Sequence, residues 1–225
     1  MDQERVLAPG GPPPVVWLLA AVFTAIELLL WLSDQQLLGE GPIASDLRWQ
    51  IYLRFAFFDL YFDAALDGQP VPWWLWTSCL SHAVLHGGWL HLAMNAVFLL
   101  AAGGMVARVI GTGRFLLLFV LTAIAGALVF GLMAETRGPL VGASGALFGI
   151  LGALKRWEWR YVAMTGEGSA RFWRTIAALV AINVLLAFAY PGGGELAWQA
   201  HLGGFIAGFI IAAPLAPRLA GVSPL

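Results

Sequence analysis

The sequence predicts an all-α membrane protein: a bundle of six transmembrane helices, with an amphipathic element in the long outer loop between the first and second. Three observations lead there. Of 225 residues, 60% are hydrophobic and only 11% charged, with a mean hydropathy of +0.80, whereas a water-soluble domain carries about 25% charged residues. Six apolar segments follow one another along the chain, and the basic residues concentrate in alternate joints between them. The net charge of −1 offers no footprint for nucleic acid, and a single cysteine, Cys79, excludes an intrachain disulfide framework.

A hydrocarbon core about 30 Å thick takes roughly 20 apolar residues per helix. The first span is expected from about Val15 to Leu32, the second from Trp89 to Ala107 and the third from Phe115 to Ala134. The fourth is short and glycine-rich, starting near Ser144 and ending before Lys155; the fifth covers Phe172 to Tyr190 and the sixth Trp198 to Leu215. This divides the chain into a short N-terminal segment (1–14), a six-span domain (15–215) and a short tail (216–225). With the N-terminus inside, the inner segments hold Arg5, Arg108, Arg114, Lys155, Arg156, Arg160, Arg171, Arg174 and Arg218, and the outer ones only Arg48, Arg54 and Arg137. The excess of basic residues marks the cytoplasmic side, so both termini are expected there. Met1-Asp2-Gln3-Glu4-Arg5 is acidic and leads through a Pro/Gly stretch into a full-length span, unlike a cleavable signal or transit peptide. That and the small six-span form suggest a bacterial plasma membrane.

In the first outer loop, Leu47, Ile51, Phe55, Phe58, Phe62 and Leu66 recur at three- and four-residue steps, the stripe of one amphipathic helix. Asp59, Asp63 and Asp67 lie opposite, and Trp73, Trp74 and Trp76 follow as residues of the headgroup level. Helices that bind anionic lipid present a basic face. This face is acidic, so the loop is read as a partly embedded element packed on the bundle.

Polar side chains inside a membrane are costly and mark functional sites. His82, His86, His91 and Asn95 stand where span two begins, Ser144 where span four begins and His201 three residues into span six, all approached from the outside. Three spans thus bring their polar groups to one depth. Ser144 lies in Gly142-Ala143-Ser144-Gly145, where glycines permit close backbone approach and a helix start leaves N–H groups facing any developing anion. Taken alone, that string is better read as a small-residue helix seam than as a nucleophile site, since Gly145 and Gly149 are four apart. His201 precedes Gly204 and Gly208, which share one helix face and let a neighbour come close. If that neighbour is span four, His201 and Ser144 can form a nucleophile–base dyad. His91 and Asn95, one above the other, can donate towards a charge developing near Ser144. His82 and His86 lack the further ligand a zinc site needs and are read as braces for the irregular Gly87-Gly88 stretch.

The ordered set His86-x4-His91-x3-Asn95, Gly142-x-Ser144-Gly145 and Ala200-His201-x2-Gly204-x3-Gly208 closely resembles the rhomboid intramembrane proteases, across essentially the whole six-helix core. The resemblance implies a rhomboid-type bundle whose nucleophile is Ser144 and general base His201. His91, Asn95 and the Ser144 backbone N–H would form the oxyanion hole, and Phe148 would pack against the base. It implies cleavage of membrane proteins within or beside a transmembrane helix, with no metal or nucleotide cofactor. Many relatives carry a Trp-Arg pair in the first outer loop; Trp73-Trp74 is the nearest match, and it has no arginine. Glu27, the one acid deep in a span, has no role in this reading. One alternative is a catalytically silent relative that binds membrane clients, although such proteins typically lose the serine or the histidine. A transporter or haem-binding bundle would need a different distribution of polar groups.

Overall fold

The computed structural model describes residues 10–39, 41, 46–134, 138–189 and 197–215. Both terminal extremities, with Arg5 and Arg218, and also Arg137 and Tyr190, lie outside the described residues. Helix α1 (Pro14–Asp34) starts on a proline at its first position, where the missing N–H would have had no intrahelical partner. Three short helices follow: α2 (Leu47–Phe55), α3 (Asp59–Leu66) and α4 (Trp74–Ser81). Helix α5 (Trp89–Ile110) contains one π turn at Leu99–Gly103, and α6 (Thr112–Met133) follows directly after Gly111. Helices α7 (Ser144–Thr165), α8 (Ser169–Ala189) and α9 (Trp198–Ile211) complete the described chain, apart from a final 3-10 turn at Ala213–Leu215.

By length and composition, α1, α5 and α6 can each cross a membrane. Their outer surfaces expose Trp17, Leu18, Val97, Leu117 and Leu132, an apolar girdle suited to hydrocarbon contact. The centre of the bundle is the trio α6, α7 and α9, which make the most extensive contacts. A Cβ added at Gly204 would overlap the Gly145 carbonyl, and one at Gly208 the Gly149 carbonyl. Backbone therefore touches backbone along the α7–α9 seam, as small residues allow. On the other side of α7, Gly149 receives the Thr122 side chain of α6, whose hydroxyl donates to Leu118 O at 2.7 Å.

The outer loop departs from the expected single helix. After α2 the chain turns extended at Ala56, and strand β1 (Phe57–Phe58) pairs antiparallel with β2 (Pro139–Leu140), Phe57 opposite Leu140. The break buries Phe57, which lies off the predicted stripe, against Phe62 and Phe130. A continuous helix would have turned Phe57 away from that contact. Phe55 and Leu66, stripe members, are exposed instead. Two span limits also move. Helix α7 runs ten residues beyond Lys155, because the Lys155 ammonium pairs with Glu158 one turn on and does not end the helix. Helix α9 ends at Ile211, not Leu215.

Glu27 is paired. Arg48 of α2 donates from Nη2 to Glu27 Oε1 at 2.9 Å, from Nε to Asp34 Oδ2 at 2.7 Å and from Nη1 to the His86 carbonyl at 3.1 Å. Tyr52 OH donates to the same carbonyl at 2.7 Å. Burial opposes the Arg48 charge, but its bonds to Glu27 and Asp34 outweigh this and raise its pKa; burial likewise raises that of Tyr52, keeping its hydroxyl a donor. Glu27 is only 1% exposed, so Arg48→Ala would strand a buried carboxylate. Breaking such a pair from one side costs about 3 kcal/mol or more. We expect a clear fall in the thermal unfolding midpoint of the detergent-solubilised variant and partial recovery in Arg48→Ala/Glu27→Gln. An Arg48→Ala protein as stable as wild type would rule out a structural role for the pair. The Arg54 guanidinium lies 5.6 Å over the Trp74 ring.

Candidate active site

Ser144 is the first residue of α7 and half-buried. The turn that delivers it needs glycine at 142, where φ is +112° and an added Cβ would lie 2.7 Å from His91 Cε1 and Nε2. Gly142 N–H donates to the His82 carbonyl at 2.9 Å, tying the turn to the segment before α5. The cap residue Ala143 offers no side-chain acceptor to the first turn, so the N–H groups at this helix start stay available for an anion.

His201 is in the first turn of α9 and 6% exposed. Its Nε2 lies 2.9 Å from Ser144 Oγ. The ring stacks on Phe148, one turn into α7, with centroids 4.2 Å apart and planes 6° from parallel. That contact holds the imidazole on one face, while the Gly204 and Gly208 seam sets the distance between the two helices.

A fourth side chain was not foreseen. Asn183 of α8 places Oδ1 2.6 Å from His201 Nδ1 and donates from Nδ2 to Leu179 O at 2.9 Å. The sequence carried a signal for it: only two asparagines occur in the chain, Asn95 and Asn183, both within apolar helices, where an amide requires a reason.

His91 and Asn95 of α5 face the Gly142 turn. His91 Nδ1 accepts from Gly87 N–H at 3.3 Å, which leaves the hydrogen of the neutral ring on Nε2, the atom directed at Gly142. Asn95 Nδ2 donates to His91 O at 2.9 Å, has a second hydrogen to offer, and lies 3.9 Å from where a Cβ on Gly142 would stand. Neither hydrogen-bonds Ser144 itself; both stand against the Gly142 turn that delivers it. His82 Nδ1 bonds the Ser78 carbonyl at 3.0 Å. The His86 ring is fully buried between Phe23 and His91, and neither of its nitrogens has a hydrogen-bond partner. Its carbonyl, held by Tyr52 and Arg48, is what anchors the Gly87-Gly88 stretch. Among the described residues no three His, Cys, Asp or Glu side chains are grouped to hold a metal ion.

Beside His201 a cleft of about 550 Å³ runs between α7, α8 and α9, lined by Phe148, Leu179, Asn183, Trp198, His201 and Leu202 among others. Its walls are apolar except at the Asn183–His201 pair.

A family model described as Rhomboid domain matches residues 73–218, more than half of the chain and all of the segments that carry Ser144, His201, His91 and Asn95. The chain is 37% identical over 150 residues to "Rhomboid protease GluP" of Bacillus subtilis, covering 65% of this chain and 27% of that protein. It is 33% identical over 143 residues to "RHOMBOID-like protein 5" of Arabidopsis thaliana, covering 61% and 42%. With "Rhomboid protease GlpG" of Pectobacterium atrosepticum it shares 29% identity over 147 residues, covering 65% and 50%. The chain thus spans half or less of the length of these relatives. With its apolar helices and a domain match that takes in the whole serine–histidine region, the chain is an integral membrane protein and belongs to the rhomboid family.

Proposed function

We propose that the chain is an intramembrane serine endopeptidase that cuts transmembrane-helix substrates. The observation that carries this reading is the 2.9 Å contact between Ser144 Oγ and His201 Nε2 in a buried setting. In this mechanism Ser144 Oγ attacks a substrate carbonyl carbon while its proton passes to His201 Nε2. The oxyanion that forms is met by the Ser144 N–H, His91 Nε2–H and the Asn95 amide. Collapse of the intermediate breaks the C–N bond, and His201 gives its proton to the departing amine. Water then attacks the acyl-serine with His201 again as base, releasing the acid. Gly142 and Gly145 shape the turn, and Phe148, Gly204 and Gly208 keep the base in register.

An intact helix shields its carbonyls in hydrogen bonds, so the substrate must be unwound at the cut. The apolar cleft beside His201 offers a surface for the neighbouring side chains. The six-span topology, with α7, α8 and α9 as the remaining spans, both termini cytoplasmic and the site opening outward in a bacterial plasma membrane, belongs to this proposal. The nine-to-three distribution of basic residues supports it.

A fluorophosphonate tests the chemistry without a known substrate. Mass mapping of the labelled, detergent-purified protein should place the adduct on the peptide containing Ser144. Folded protein that takes no label there would remove the protease reading and favour a client-binding relative.

A further inference from the structure

We infer that Asn183 is a positioning residue that holds His201 in the one tautomer able to act as a base, extending the serine–histidine pair to a Ser144–His201–Asn183 relay. The inference rests on the hydrolase reading above. Its basis is the direction of the Asn183 amide. The Leu179 carbonyl can only accept, so the amide nitrogen 2.9 Å from it is the donor, and the atom 2.6 Å from His201 must be the oxygen. An acceptor at that distance requires the hydrogen on His201 Nδ1. The neutral ring then has no hydrogen on Nε2, and its lone pair meets Ser144 Oγ at 2.9 Å. In the opposite tautomer Nε2 would carry a hydrogen and could not take the serine proton.

Burial makes this orientation matter. His201 is almost wholly enclosed, and Phe148 stacked on its face restrains tilt but not tautomer. Without an acceptor at 183, nothing else bonded to Nδ1 among the described residues would select the productive form. A buried Nδ1–H left unpaired would also favour moving the hydrogen to Nε2. The same division of labour, with an amide orienting the base, operates in cysteine–histidine–asparagine proteases. Here the amide comes from a third helix, so the base is anchored from α7, α8 and α9 together.

The test compares wild type, Asn183→Leu and Asn183→Asp in the rate of fluorophosphonate adduct formation on Ser144 across pH, with thermal unfolding measured alongside. Leucine preserves the volume but removes the acceptor, and the labelling rate is expected to fall at least about tenfold. Aspartate restores an acceptor and adds charge that favours the imidazolium. The neutral base then exists only at higher pH, and the acid limb of the profile should move up by about one unit or more. A carboxylate beside the ring moves that limb whatever the native amide does, so the loss of rate in the leucine variant carries the test. Should that variant fail to fold, Asn183→Ala, which also removes the acceptor, decides in its place. A wild-type rate in the deciding variant would overturn the positioning role while leaving the hydrolase reading intact. Absence of a Ser144 adduct in wild type would overturn both.

Discussion

Ser144→Ala, His201→Ala and the double variant will all cleave a single-span reporter at the same residual rate, at least about 10⁴-fold below wild type. The equality follows from the geometry. The Ser144 proton has its acceptor 2.9 Å away in His201 Nε2, so removing either partner closes the covalent route, and removing the second has nothing left to take. What survives is substrate positioning and the oxyanion donors: His91, Asn95 and the backbone N–H at the start of α7. KM should change little, because the apolar walls of the cleft are untouched. The measurement is initial rates in proteoliposomes with matched reconstitution. His201→Ala also needs an unfolding control, since it empties the space stacked on Phe148. A double variant much slower than either single would mean that the two side chains act independently, and the dyad would have to be abandoned.

Gly204→Val and Gly208→Val will give no folded protein, and Gly204→Ala will keep a fold but lose labelling at Ser144. The obstruction at these positions is the carbonyl of Gly145 or Gly149 on the facing helix, and a helical carbonyl cannot rotate aside without breaking its own bond. Overpacking of a core ordinarily costs about 1–3 kcal/mol; here the only relief is to push α7 and α9 apart. That separation is the one that sets Ser144 against His201, so activity should fail before stability does. Gly113→Ala is the control, because a Cβ at that site meets nothing within 4 Å. Size-exclusion behaviour, unfolding midpoint and adduct yield together report the outcome. A Gly204→Ala protein that labels like wild type would show that the seam has slack.

The parts legible in the sequence were those with local or periodic signatures. The apolar runs of α1, α5 and α6 announce themselves by length and composition. The glycines around Ser144 and after His201 pointed to two backbones in contact, and the seam lies there. The rest depends on contacts between distant residues. Glu27 looked unexplained because Arg48, 21 residues on, sits in a loop whose fold the sequence leaves open. A three-and-four stripe is equally compatible with one helix or with two helices and a strand, and only the partner Leu140 decides between them. Lys155 suggested a helix end, since charge marks the limit of a span; the helix itself continues because Glu158 supplies a local partner. Asn183 was overlooked because its meaning lies in the ring it faces on another helix, 18 residues further along.

The small β1–β2 pairing has a consequence for how the molecule is made. Phe57 and Leu140 are joined across a stretch of chain that includes both α5 and α6. Synthesis delivers the N-terminal partner first, and it must wait, unpaired and with Phe57 uncovered, until two long apolar helices have been threaded into the bilayer. Contacts so remote along the chain form late and slowly. The pairing can therefore form only once α5 and α6 have been made, while α7, α8 and α9 are still to come. Because β2 leads directly into the turn before Ser144, fastening the outer loop also fixes the approach to that turn.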